Sequence, residues 1–206
     1  CVFFLLMIRR PPRSTQSRSS AASDVYKRQE NYIPNQKSSE RFGNLYFHNY
    51  TQGRISFDEV VVALFDFIRQ DPKGTYRVII GTDSKGSKDS PNFQSFVTAI
   101  IVHKIGYGAR YFWRKTYQKN LRGIRDKIYQ EAMLSLETCW AFMEKINTFP
   151  DNHLSNYRVE IHVDIGPNGP TRNIIQEVTG MIENLGFTAK VKPHSFGASR
   201  VAHRHT

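Results

Sequence analysis

Apolar and polar positions change rhythm several times along this chain, and each change marks an element. Val78, Ile79 and Ile80 form a continuous β-branched run inside Tyr76–Ser84, YRVIIGTDS, the pattern of a strand buried on both faces of a sheet. The run closes on Gly81-Thr82-Asp83-Ser84, which puts a carboxylate at the exposed end of a central strand. A polar loop, Lys85–Asn92, leads to Phe96–His103, a second β-branched run, and Gly106-Tyr107-Gly108 turns the chain into Ala109–Tyr117. These three strands form an antiparallel meander. Ahead of them, Ser56-Phe57-Asp58-Glu59 reads as a capping box that opens a helix with Val60, Leu64, Phe65 and Ile68 on one stripe. Asp71-Pro72 stops it.

Behind the meander, Leu121–Ile146 carries the longest helical pattern, with Ile124, Ile128, Ala132, Ser135, Cys139, Phe142 and Ile146 recurring at helical spacing. Tyr157–Asp164 (YRVEIHVD) then alternates as a strand whose last residue is again Asp. Thr171 caps a helix running to Leu185, Phe187–Lys192 is a short fifth strand, and Ser195–His205 is a last helix. A meander followed by βαβ crossovers predicts an α/β fold with a five-stranded mixed sheet, because each crossover returns the chain parallel. The first and fourth strands can then be neighbours, with Asp83 and Asp164 at the same end, where open α/β sheets place their ligands. Residues 1–29 have no structural period and read as a leader, 30–54 as an arm lying on the domain, and 55–206 as a single domain.

Composition narrows the partners. The chain has 206 residues and a formal net charge of +11, a balance that favours a polyanion such as nucleic acid. About half of that excess sits in the leader, where Arg9, Arg10, Arg13, Arg18, Lys27 and Arg28 face only Asp24. The leader stretch MIRRPPRSTQSRSSAASDVYKRQ closely resembles translated sequencing-adapter read-through. Cys1 and Cys139 exclude a disulfide framework and a Cys/His finger, so a reducing cytoplasm is the expected setting. The longest apolar run, Val2–Ile8, is too short to span a bilayer.

Glu131 lies three residues after Ile128 and four before Ser135, on the helix stripe that faces the sheet. Unpaired carboxylates are rarely buried, and Asp83, Glu131 and Asp164 together would form a hard-oxygen site suited to Mg²⁺ or Mn²⁺. The alternative is that Glu131 pairs with Arg125 or Lys127 and Asp164 only closes a turn. Arg114, Lys115, Lys119, Arg122, Arg125 and Lys127 gather around the start of the long helix, interleaved with Tyr111, Trp113 and Tyr117. Such a surface could track phosphates and stack bases, or be a solvated basic face. Gly166–Thr171 could hold a phosphate at a helix N-terminus, though a plain loop and cap explains it as well. His162 reads as a residue on the polar face of its strand.

GTDS after an apolar strand, Arg125-Asp126-Lys127-Ile128 with Glu131, EIHVDIGPNGPT at 160–171 and KPHSFGASRVAHRHT at 192–206 together resemble the YkuK-type bacterial family of predicted ribonuclease H-related nucleases. The resemblance runs from about Phe47 to the end of the sequence. It implies a ribonuclease H-like fold, with Asp83 as the first-strand metal ligand, Glu131 as the helix ligand and Asp164 as the fourth-strand ligand. The last helix usually adds a fourth carboxylate, and here His203 stands at that position where related chains carry Asp or Asn. The implied activity is metal-dependent phosphodiester hydrolysis in RNA, RNA–DNA hybrid or structured DNA. A catalytically silent nucleic-acid-binding module with the same fold is the competing reading. An actin-like kinase would need two such domains, and this chain has room for one.

Overall fold

A computed structural model describes residues 45–86, 93–119, 121, 123–148, 157–167 and 174–206. The leader, residues 30–44 of the arm, Arg122 and the cap residue Thr171 lie outside these described residues.

The long β-branched runs form the centre of the sheet. Strands β3 (Tyr76–Gly86), β4 (Phe93–Lys104) and β5 (Gly108–Lys119) are a continuous antiparallel meander, longer at the β3–β4 end than the polar loop suggested. Strand β6 (Tyr157–His162) pairs parallel to β3, and β7 (Thr188–Lys190) parallel to β6. The fold is therefore the expected mixed α/β sheet, with the first meander strand beside the first crossover strand. Among the described residues the sheet has seven strands, not five, because β1 (Tyr46–Asn49) and β2 (Gly53–Ser56) join it as a hairpin whose first strand meets β5 at His48 and Trp113. The order is β2-β1-β5-β4-β3-β6-β7. The end of the presumed arm is thus part of the sheet. It carries Phe47, fully buried against the core and packed on Phe57.

Helix α1 (Phe57–Arg69) starts at the predicted capping box, with Ser56 accepting from the Glu59 amide while the Glu59 carboxylate accepts from the Ser56 N–H at 2.7 Å. Helices α1 and α2 (Ile124–Asn147) cover one face of the sheet, meeting Val78, Ile80, Ile100, Val102 and Phe112 in the main core. Helix α3 (Ile175–Asn184) joins that layer through Val178 and Ile182. The opposite face has a smaller apolar cluster of Ile79, Val97, Ala99, Ile101 and Ala202. It is covered by a C-terminal helix that begins as a π-helical stretch, Gly197–Ala202, and ends as an α-turn, His203–His205.

That helix lies very close to the sheet, which makes Gly197 a packing requirement. A Cβ there would stand 2.5 Å from Ile79 Cγ2 and 3.2 Å from His162 Nδ1. His162 is buried, not solvated as its strand alternation suggested, and its Nδ1 accepts the Gly197 N–H at 3.1 Å. Burial pushes its imidazole below the usual pKa, against the raising effect of Glu160 3.3 Å from Nε2. The parallel pairing of β6 with β3 carries this imidazole under the C-terminal helix, and one strand read alone cannot show that.

Candidate active site

The functional side chains converge on the end of β3 where the apolar run stops. Asp83 and Ser84 are both buried there and, as neighbours on a strand, point to opposite faces. On the α2 face, Ser84 Oγ donates to Glu131 Oε1 at 2.7 Å. One turn further along α2, Ser135 Oγ lies 2.9 Å from the Thr82 hydroxyl, which is itself 2.9 Å from that of Thr98. This buried hydroxyl chain fixes the register of α2 over β3 and so fixes Glu131.

On the other face, His203 Nδ1 lies 2.9 Å from Asp83 Oδ2, and the Thr206 hydroxyl donates to the same oxygen at 3.2 Å. The His203 side chain is 73% exposed, so the imidazole caps the carboxylate from the solvent side. Asp164 is two residues past the end of β6, in the loop that follows and not on the strand as its alternation suggested. Lys192 Nζ stands 3.1 Å from its Oδ1, yet that oxygen accepts no hydrogen bond. The contact is therefore an ion pair without hydrogen-bond geometry.

Glu131 is 4% exposed. Burial pushes its carboxyl up to about 7, and the charges of Asp83 and Asp164 add to the rise against the Ser84 hydrogen bond and Lys127. Lys127 Nζ is 3.9 Å away, so the pairing with Lys127 foreseen as an alternative exists, while Arg125 points elsewhere. Asp83 and Asp164 thus both act on Glu131, with Lys127 near Glu131 and Lys192 near Asp164. This donor set is all hard oxygen and short of positive charge, the chemistry Mg²⁺ or Mn²⁺ requires. Among the described residues no three His, Cys, Asp or Glu side chains stand close enough to hold an ion between them. Asp83 Oδ2 is instead engaged by His203 and Thr206.

A ribonuclease H-like family profile matches residues 59–206. The chain belongs to the ribonuclease H-like family. It is 32% identical over 178 residues to a Bacillus subtilis (strain 168) protein described as "Uncharacterized protein YkuK", covering 78% of this chain and 96% of that one. No solved structure gives a significant match. No helix among the described residues is long and apolar enough to cross a membrane.

The basic residues of this ribonuclease H-like chain do not form one surface. Lys115 and Lys119 share the β5 face that carries Tyr117, whereas Arg114, one residue before Lys115, projects to the opposite, half-buried face. Arg125 pairs with Glu177 of α3 at 2.5 Å and Lys127 serves Glu131. Arg122 and positions 168–171 of the phosphate-loop reading lie outside the described residues. Tyr111 and Trp113 are engaged within the protein, Trp113 stacking on His205 with ring centres 3.9 Å apart. The sequence reading did not single out Ser84, Thr206, Lys192 or Lys85. Ser84 was within view, as the fourth residue of the GTDS motif.

Proposed function

We propose that this protein is a divalent-metal-dependent nuclease hydrolysing phosphodiester bonds in RNA, RNA–DNA hybrid or structured DNA, in a reducing cytoplasm. The observation that carries the reading is the buried Glu131, fixed by Ser84 at 2.7 Å at the same end of β3 as the buried Asp83. A fold built only for stability gains little from burying a carboxylate such as Glu131 at a sheet end that already carries Asp83. Asp83, Glu131 and Asp164 are the residues that would hold Mg²⁺ or Mn²⁺, which requires Asp83 to leave His203 and Thr206 and the three carboxylates to draw closer together than they stand in this structure. When bound, such an ion lowers the pKa of the attacking water and stabilises the leaving oxygen. Water adds to phosphorus, the bond to the leaving oxygen breaks, and a phosphate monoester and a free hydroxyl result. His203, exposed and within reach of Asp83, would help product leave.

The same His203–Asp83 contact favours a second reading, a silent nucleic-acid-binding module in which the imidazole takes the place of the cation. Thermal melts with Mn²⁺, run beside a cleavage screen over single-stranded, duplex, hybrid and junction substrates, decide between them. Wild type is expected to melt higher with the ion by mass action and to cleave at least one substrate, whereas Asp83→Asn, Glu131→Gln and Asp164→Asn lose both effects. A wild type that neither gains stability nor cleaves leaves the binding module.

A further inference from the structure

Beside Asp83, on the face shared with the C-terminal helix, the sheet opens into a groove of about 580 Å³ lined by Lys85, Phe93, Ser95, Lys115, Tyr117 and Thr206. That volume lies within the roughly 300–1,000 Å³ of ligand pockets. We propose that this groove is a stacking subsite for an unpaired nucleotide, so that the strand is presented to Asp83 single-stranded. The inference rests on the nuclease reading for its purpose, but not for its chemistry.

The register builds the groove in rows. Asp83 is opposite Val97, which is opposite Lys115; one step further, Lys85 is opposite Ser95, which is opposite Tyr117. Lys85 is two residues from Asp83, about 7 Å along the same face. Lys85 and Tyr117 are two strand spacings apart, about 9–10 Å, and the small Ser95 between them leaves the floor low. The Tyr117 side is thus an aromatic wall and the Lys85 side a cationic one, continuous with the carboxylate row through Lys115 and Thr206.

The wall is available. Tyr117 is 65% exposed, and the nearest cation over its ring, Lys115 Nζ, is 5.9 Å from the centre. By contrast, Lys119 covers Phe93 at 4.5 Å and His205 covers Trp113. Lys85 and Lys115 line the groove as cations for phosphates; Lys115 Nζ donates to the Thr206 main-chain oxygen at a long 3.4 Å, a contact a phosphate oxygen would replace. An aromatic face beside cations suits an unpaired base with its phosphate; in a duplex the base faces are stacked on one another and cannot reach Tyr117.

Fluorescence anisotropy in EDTA, with labelled single-stranded oligonucleotides and the matching duplex, tests this without cleavage. Tyr117→Ala should weaken single-strand binding roughly 5- to 100-fold. Tyr117→Phe should keep it, and so should Tyr107→Ala, which removes an exposed ring at the far end of the sheet. Lys115→Ala should lower the salt slope by about 0.7. Equal single-strand binding by wild type and Tyr117→Ala, or a duplex bound at least as tightly and equally weakened, overturns the subsite. Tyr117-dependent binding without Mn²⁺-dependent cleavage keeps the subsite and rejects the nuclease. Cleavage abolished by Asp83→Asn but insensitive to Tyr117→Ala in binding does the reverse.

Discussion

Glu131 concentrates the energetic conflict of the molecule in one side chain. Its folded pKa of about 7 exceeds the ordinary 4.5, so between those values the folded state holds a proton that the unfolded state has lost. Stability associated with this group is fully present below about pH 4.5 and is lost as pH rises through about 7, a swing on the order of 3 kcal/mol. Glu131→Gln removes the titration. Relative to wild type, the variant should gain little at acid pH and progressively more toward neutral, which urea unfolding across that range measures. Were Glu131 an ordinary solvated helix carboxylate, the two profiles would run parallel. If Glu131 is a metal ligand, a cation that stabilises the wild type should stabilise Glu131→Gln less.

At the level of elements, the decisive contact is that between the C-terminal helix and the sheet. His203 reaches Asp83 only because Gly197 lets the helix approach Ile79, Ile101 and His162 within contact distance. Gly197→Ala adds a methyl group where no space exists, and overpacking of this kind costs about 1–3 kcal/mol. The helix is expected to shift outward, separating His205 from Trp113 and His203 from Asp83. A change in Trp113 emission together with a lowered melting temperature reports it; unchanged emission would mean that the helix absorbs the methyl group locally. Helix α2 is held differently, by the buried hydroxyls of Ser135, Thr82 and Thr98, which keep Glu131 in register independently of the other face. The Asp83 contacts on one face and Glu131 on the other can thus be perturbed separately.

Across the whole molecule, the β1–β2 hairpin extends the meander and closes one end of the main core. Phe47 is fully buried there, against Phe57 at the start of α1. Phe47→Ala should therefore cost about 3–5 kcal/mol, as for any aromatic removed from a core, measured by denaturant unfolding. A residue on an arm merely lying on the domain would cost far less. The hairpin also places Tyr50 against Trp113 and His205, so its loss should loosen the C-terminal helix as well.

The meander, the three long helical stretches, the neighbouring first and fourth strands and the candidate carboxylates Asp83, Glu131 and Asp164 were all legible in local pattern. The period of two, the helical period and the capping box each depend on residues a few positions apart. Alternation alone also puts Arg114 and Lys115 on opposite faces. Which face is buried was decided only when α1 and α2 covered one side and the C-terminal helix the other. The hairpin stayed hidden because two four-residue strands have no period of their own and exist through pairing with β5. The contact of His203 with Asp83 bridges 120 residues, and the row joining Lys85 to Tyr117 crosses three strands. Such meetings follow from strand order and register, which are set by the packing of the whole sheet, and no short window of sequence contains them.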